Sequence, residues 1–416
     1  MRGTLMARII SVAAAMSLLS ASAATAQVRE PVPTPPPRQF RGVTTAVIRN
    51  ALTDSNINAV IEETAKFAHR EIGGRVGGKK DGFLSVTLPD PASVSIAAGD
   101  LAQEDFNVAV VSGGDSLSTV GIASANPTTV FLDIDQALPC VTKDGIPDPS
   151  GTCAGGRFAI PQNYTAVDFA VDQPAYLAGV IAAAASRDDM IGIISGMPGC
   201  EECNRYIEGF QLGAQSVKPE IGVELAYLAD DGAEAAFGDP AAAKTFAKAF
   251  IDVYEPDVLL PVTGGSSRGV IEAACDAGIF AVGTELDMSA VYPDLEECLL
   301  ASITKDIGYA VRESVFGFAN EDLGPLWELG LDDGHVAVTD EWTRLPGLPV
   351  DLTERYENAE QAILTGQVDT CPTACGLDLG PRPSDGPADG GGGGGGDGGD
   401  DAGGDAGDDA EDDGSP

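Results

Sequence analysis

Along the middle of the chain, short runs of apolar, β-branched residues alternate with longer segments whose apolar positions recur every three or four residues. The runs at residues 44–48, 108–111, 129–134, 190–194, 258–262 and 279–282 read as strands. Segments 58–72, 175–185, 204–217, 241–253 and 267–277 carry the helical period, each after a polar or Gly-containing turn. Strands that are apolar on both faces need cover on both sides, and helices between them provide it. The fold class is therefore α/β, with parallel sheets covered by helices.

In such sheets a ligand lies beyond the carboxyl ends of the strands, so the residues after each apolar run carry the functional information. Here they are Gly283-Thr284-Glu285-Leu286-Asp287, Thr263-Gly264-Gly265-Ser266-Ser267, Ser195-Gly196-Met197-Pro198 and, within the third run, Asp133. Hydroxyls, carboxylates and Gly backbone suit a neutral polyhydroxylated ligand, because carboxylates accept hydrogen bonds from hydroxyls and Gly admits close backbone approach.

The two ends of the chain break this pattern. Residues 1–26 place Arg2 and Arg8 before a short apolar stretch and close on Ala24-Thr25-Ala26, the form of a secretory signal peptide. Residues 27–41 form a Pro-rich spacer, which favours extended backbone. From residue 369 a Cys-containing stretch leads into a Gly- and Asp-rich tail with no apolar face to bury, expected to be disordered. The folded part is then residues 42–368, and the mature protein is expected to be exported and soluble.

Charge narrows the function further. The chain has 64 Asp+Glu against 24 Lys+Arg, a net charge of −40, which excludes most nucleic-acid binders and opposes adhesion to anionic lipid. With two His in the whole chain, a triad or a metal centre built on several imidazoles is not expected, and no cofactor is called for. Eight Cys in an exported protein read first as disulfides, the candidates being Cys140, Cys153, Cys200, Cys203, Cys275, Cys298, Cys371 and Cys375. Their connectivity stays open, since eight Cys allow about 105 pairings.

Three local motifs compete for attention. Gly73-Gly74-Arg75-Val76-Gly77-Gly78-Lys79-Lys80 nearly spells a phosphate-binding loop, but Lys80 stands where a hydroxyl should hold magnesium and the run follows a helix; it reads as a turn. Cys200-Glu201-Glu202-Cys203 opens a helix, where a thiol pKa would fall as in thiol-disulfide oxidoreductases, although two acidic residues between the thiols oppose this. A structural disulfide is the expectation there, with a secreted oxidoreductase as the rival function. A zinc site built from Cys371 and Cys375 does not suit an oxidising compartment.

The order of segments resembles the basic membrane protein family, the purine-nucleoside-receptor type of substrate-binding protein that serves ABC importers. The resemblance is carried by Tyr176-Leu177-Ala178-Gly179-Val180, Tyr206-Ile207-Glu208-Gly209-Phe210, Phe237-Gly238-Asp239-Pro240, Gly264-Gly265-Ser266-Ser267-Arg268 and Ser302-Ile303-Thr304-Lys305, in that order between about residues 43 and 368. It implies two Rossmann-like lobes of the type 1 periplasmic-binding kind, joined by three crossing segments and closing on a ligand, with an ABC permease as partner and no enzymatic activity. Carried onto this chain, Phe237 is similar to a base-stacking ring, and Asp287 and Lys305 to a ribose clamp. Asp54, Asn58 and Asp133 resemble polar contacts from the first lobe, and Gly264 a point of close backbone approach. Ile57 stands where the family carries an aromatic, which removes half of the expected base sandwich. A monomer is expected; a sensor or scaffold of the same fold is the remaining alternative.

Overall fold

The computed structural model describes residues 43–75, 82–104, 106–138 and 160–372. The proposed signal peptide, the spacer, most of the phosphate-loop-like run, the acidic tail and Cys140, Cys153 and Cys375 lie outside the described residues.

Two sheets form, one per lobe. In the first, β1 (Thr45–Asn50), β2 (Phe83–Leu88), β3 (Val108–Ser112), β4 (Val130–Ile134) and β5 (Tyr164–Phe169) are joined by α1 (Ser55–Glu71), α2 (Pro91–Ala102) and α3 (Ser116–Ala125). Its spatial order, completed by β11 (Leu326–Leu329), is β11-β5-β4-β3-β1-β2, parallel throughout. The second holds β6 (Met190–Ser195), β7 (Gly222–Tyr227), β8 (Val258–Val262), β9 (Phe280–Gly283), β10 (Leu299–Lys305) and β12 (Val336–Val338) in the order β12-β10-β9-β8-β6-β7. There only the edge strand β12 runs antiparallel, against β10.

The chain crosses between sheets three times: from β5 into α4 (Asp172–Ala185), from β10 into α9 (Ile307–Asn320), and from β11 to β12. After the first crossing α4 packs on α5 (Glu201–Val217), while α9 returns to pack on α1 of the first lobe. The α4–α5 packing depends on glycine. A Cβ on Gly213 would lie 1.9 Å from the Tyr176 carbonyl oxygen, and one on Gly179 2.1 Å from that of Phe210, so only bare backbone lets the two helices meet.

Every residue of β1, β3 and β8 is buried, as expected for strands covered on both faces. α2 and α3 cover the outer face of the first sheet, and α6 (Pro240–Tyr254) and α7 (Ser267–Ala277) that of the second. Full burial of each such aliphatic side chain stabilises the fold by roughly 1.5–3 kcal/mol.

Aspartates cap six of the helix starts. Asp54, Asp90, Asp115, Asp239 and Asp306 each accept a backbone N–H from the first turn of α1, α2, α3, α6 and α9 respectively, and Asp287 does the same for the short α8 (Met288–Val291). α1, α4 and α5 each begin three residues earlier than their apolar period suggests, because the first turn is polar or capped and carries no stripe.

Candidate functional site

The carboxyl ends of β1, β3, β4, β6, β8 and β9 converge, and the loops leaving them enclose a cavity of about 290 Å³ lined by both lobes. The first lobe supplies Leu52, Thr53 and Asp54 after β1, and Asp135 and Gln136 after β4. The second supplies Met197, Cys200, Glu202 and Tyr206 from the β6–α5 region, Phe237 before α6, Gly264 after β8, and Glu285 after β9.

At its base is a buried cation. Lys305 ends β10 with a fully buried side chain, and its Nζ lies 2.8 Å from Asp135 and 3.0 Å from Glu285, with Glu202 also bonded to it. Asp135 reaches it from the other lobe, so this ion pair crosses the cleft. The rings of Phe169 and Tyr206 flank the ammonium at 5.7 and 5.5 Å, and the Tyr206 hydroxyl donates to Glu285 at 3.1 Å. Asp135 and Glu285 both adopt left-handed backbone, at φ 64° and 75°, a conformation that costs non-Gly residues free energy and that concentrates where structure holds a functional group in place.

Three carboxylates facing one ammonium leave a formal charge of −2. Burial and the neighbouring Asp135 carboxylate push Glu202 up to about 8, against the opposing pull of Lys305. Glu202 keeps 39% of its side chain accessible, on the side of the cavity, whose lining also holds the carboxylates of Asp54, Asp135, Glu234 and Glu285. Burial likewise raises Glu285, and the three carboxylates, helped by Tyr206, hold Lys305 well above the ordinary lysine range despite its own burial. The cluster thus offers a polar, uncharged ligand hydrogen-bond acceptors held in place by a buried cation, and repels an anion.

Of the residues singled out in the sequence, Asp54, Phe237 and Gly264 line the cavity. Phe237 is held against Gly196, where a Cβ would fall 2.3 Å from the ring, and against Gly264. Ile57 also lines the cavity, from α1.

The other four do not line it. Asn58 is turned onto backbone, donating from Nδ2 to the carbonyls of Asn50 at 2.9 Å and Thr53 at 3.3 Å. Asp133 lies within β4, fully buried, accepting from the Tyr164 hydroxyl at 2.9 Å. Asp287 caps α8, accepting from Ser289 N and Ala290 N at 3.0 and 3.1 Å. Asp287 is not among the partners of Lys305, which are Asp135, Glu202 and Glu285. Lys305 itself acts from behind these three, which do line the cavity.

Asp135 and Glu285 went unassigned in the sequence. Each is the first carboxylate beyond the last residue of its strand, β4 or β9, and that position was the available signal. Cys200 pairs with Cys203, and Cys275 with Cys298. Cys371 is also disulfide-bonded, and there are no free cysteines among the described residues. Among them, too, no helix is long and apolar enough to cross a membrane.

A family model described as Bmp, ABC transporter substrate-binding protein PnrA-like, matches residues 47–365. Basic membrane protein C of Borreliella burgdorferi is 27% identical over 229 residues, which cover 54% of this chain and 61% of that protein. An ABC transporter nucleoside-binding protein of Lactococcus lactis is 37% identical over 157 residues, 38% of this chain and 37% of the relative. A purine-binding protein of Brucella abortus is 28% identical over 280 residues, 66% and 74% of the two chains. Among solved structures, an ABC transporter solute-binding protein of Aeropyrum pernix superposes with a TM-score of 0.60 at 17% identity, covering 78% of this chain and 92% of that one, which establishes a shared fold.

Proposed function

This chain belongs to the ABC transporter substrate-binding protein PnrA-like family, and from that premise we propose that it is an exported solute-binding protein that captures a nucleoside between its lobes and delivers it to an ABC permease. The observation that carries the reading is the Lys305 cluster. Its carboxylates come from both lobes, so a ligand that satisfies them favours the closed arrangement over the open one.

The names of the Lactococcus and Brucella relatives support a nucleoside or purine ligand. The cavity agrees in chemistry: Phe237 offers an aromatic face for a base, while Asp135, Glu202 and Glu285 offer acceptors for ribose hydroxyls. An acidic wall disfavours phosphorylated forms. The protein binds and does not transform its ligand, in keeping with its family.

A thermal-shift screen of the mature chain against adenosine, guanosine, inosine, their monophosphates, adenine and ribose tests this. A ligand at about 100 times its dissociation constant adds roughly 2.7 kcal/mol of stability, readily seen as a higher Tm. A shift with a nucleoside and none with its monophosphate is expected. A shift with ribose alone would overturn the nucleoside assignment and keep the solute-binding one.

A further inference from the structure

The wall of the cavity contains a disulfide. Cys200 is the N-cap of α5, its sulfur accepting the Cys203 N–H at 3.2 Å, and the Cys200–Cys203 bond closes the first turn of the helix on itself. Cys200 and Cys203 both line the cavity, and between them Glu202 directs its carboxylate onto the Lys305 ammonium.

Glu202 has reason to leave that position. It faces Lys305 from β10, Asp135 from the loop after β4, Glu285 from the loop after β9, and Tyr206 one turn along its own helix. Two of those neighbours are carboxylates that repel it. The first turn of a helix is also its weakest part, because its N–H groups have no partners within the helix. A covalent link across that turn removes the frayed conformations through which Glu202 would swing out to water.

We propose that the Cys200–Cys203 disulfide is a positioning element of the solute site: it holds Glu202 in the Lys305 cluster, and its reduction lowers the affinity of the cavity for solute. The inference rests on the solute-binding reading. Reduction takes two electrons and two protons from a dithiol, which leaves as its cyclic disulfide, and gives two thiols at residues 200 and 203. Capture would then be tight in an oxidising compartment and weaker where dithiols prevail.

Two readouts on the mature chain test this. Cys200→Ser/Cys203→Ser removes the link while keeping a good N-cap, Cys275→Ser/Cys298→Ser serves as the control, and Glu202→Gln replaces the positioned, titrating carboxyl by an amide that does not titrate. Isothermal titration with adenosine, guanosine and inosine should show binding about tenfold weaker in Cys200→Ser/Cys203→Ser, equivalent to about 1.4 kcal/mol. The control should match the wild type, and adding the double serine change to Glu202→Gln should weaken binding no further.

The second readout needs no ligand. With Glu202 held among like charges, Tm falls as pH rises from about 5 to 8, since the folded state then holds its proton more tightly than the unfolded one. Cutting the link should flatten that slope, and so should Glu202→Gln. A disulfide that only stiffens the fold would lower Tm equally at every pH. An unchanged slope in the double serine variant, or unchanged nucleoside affinity, overturns the proposal. If the wild type binds no nucleoside, the ligand assignment fails, and the slope alone decides the role of the disulfide.

Discussion

Tyr292 of the second lobe donates its phenolic hydrogen to Oδ2 of Asp54 in the first lobe, at 3.1 Å. Oδ1 of the same carboxylate accepts the Asn56 backbone N–H at 2.7 Å, so the cap of α1 is also the anchor of a contact across the cleft. The Arg268 guanidinium lies 4.6 Å above the Tyr292 ring and holds it in place. Burial and the Asp54 charge push the phenol up to about 12, so it remains a donor throughout the physiological range.

Tyr292→Phe keeps the ring and deletes the latch. A hydrogen bond to a charged acceptor contributes about 1.5–3 kcal/mol, and Tyr292 is only half-buried, so the low end applies. Ligand dissociation should accelerate about tenfold, with association little changed. Stopped-flow kinetics separates the two, and an unchanged dissociation rate would show that the contact does not hold the closed state.

Glu285 and Asp287 stand two residues apart and do different work. Asp287→Ala removes the α8 cap and should lower stability by about 1 kcal/mol without changing ligand affinity. Glu285→Gln leaves the fold in place and removes an acceptor from the cluster, so affinity should fall while the melting temperature of the free protein holds or rises. Calorimetry on both variants checks the pair, and a loss of affinity in Asp287→Ala would return that residue to the site.

The same two residues show where the sequence was legible. Alternating apolar runs and helical periods located the parallel sheets, because burial on both faces leaves a plain hydrophobic record. Carboxylates at strand ends were legible as a class but not by role: a helix cap and a ligand contact call for the same residue type in the same loop. For both β4 and β9 the cavity-facing carboxylate is the first one past the strand, Asp135 or Glu285, while Asp133 sits inside β4 and Asp287 already begins the next helix. The left-handed backbone that aims Asp135 and Glu285 at Lys305 leaves no trace in residue type. Pairing of Lys305 with Asp135, 170 residues away, depends on how the lobes meet.

Asp133 sets a separate pH dependence inside the first lobe. Burial raises its pKa to about 7, opposed by the Tyr164 hydrogen bond and reinforced by Asp115, and its Oδ1 has no partner. Between about pH 4 and 7 the folded state then holds this proton more tightly than the unfolded chain. Stability therefore falls as pH rises through that window, by up to about 1.4 kcal/mol per unit. Asp133→Asn mimics the protonated group. It should be neutral near pH 4 and stabilising at pH 8, which urea unfolding at the two pH values measures directly.

Lys305 is where the electrostatics of the site and the stability of the fold meet. Lys305→Met fills similar volume but leaves Asp135, Glu202 and Glu285 facing one another without a cation. Removing one member of a buried ion pair costs about 3–5 kcal/mol, because the remaining charge has lost its compensation. That cost depends on the carboxylates being ionised. Glu202 already sits at about 8, and without the ammonium that lowers it, it moves higher still. At pH 5 Glu202 and Glu285, both raised by burial, can take up protons, so the loss should be small; as pH rises toward 8 and beyond, it should grow to the full amount. Adding Glu202→Gln to Lys305→Met should recover part of the stability at pH 8 and little at pH 5, without restoring ligand binding. A Lys305→Met penalty independent of pH would mean that Lys305 contributes by packing alone.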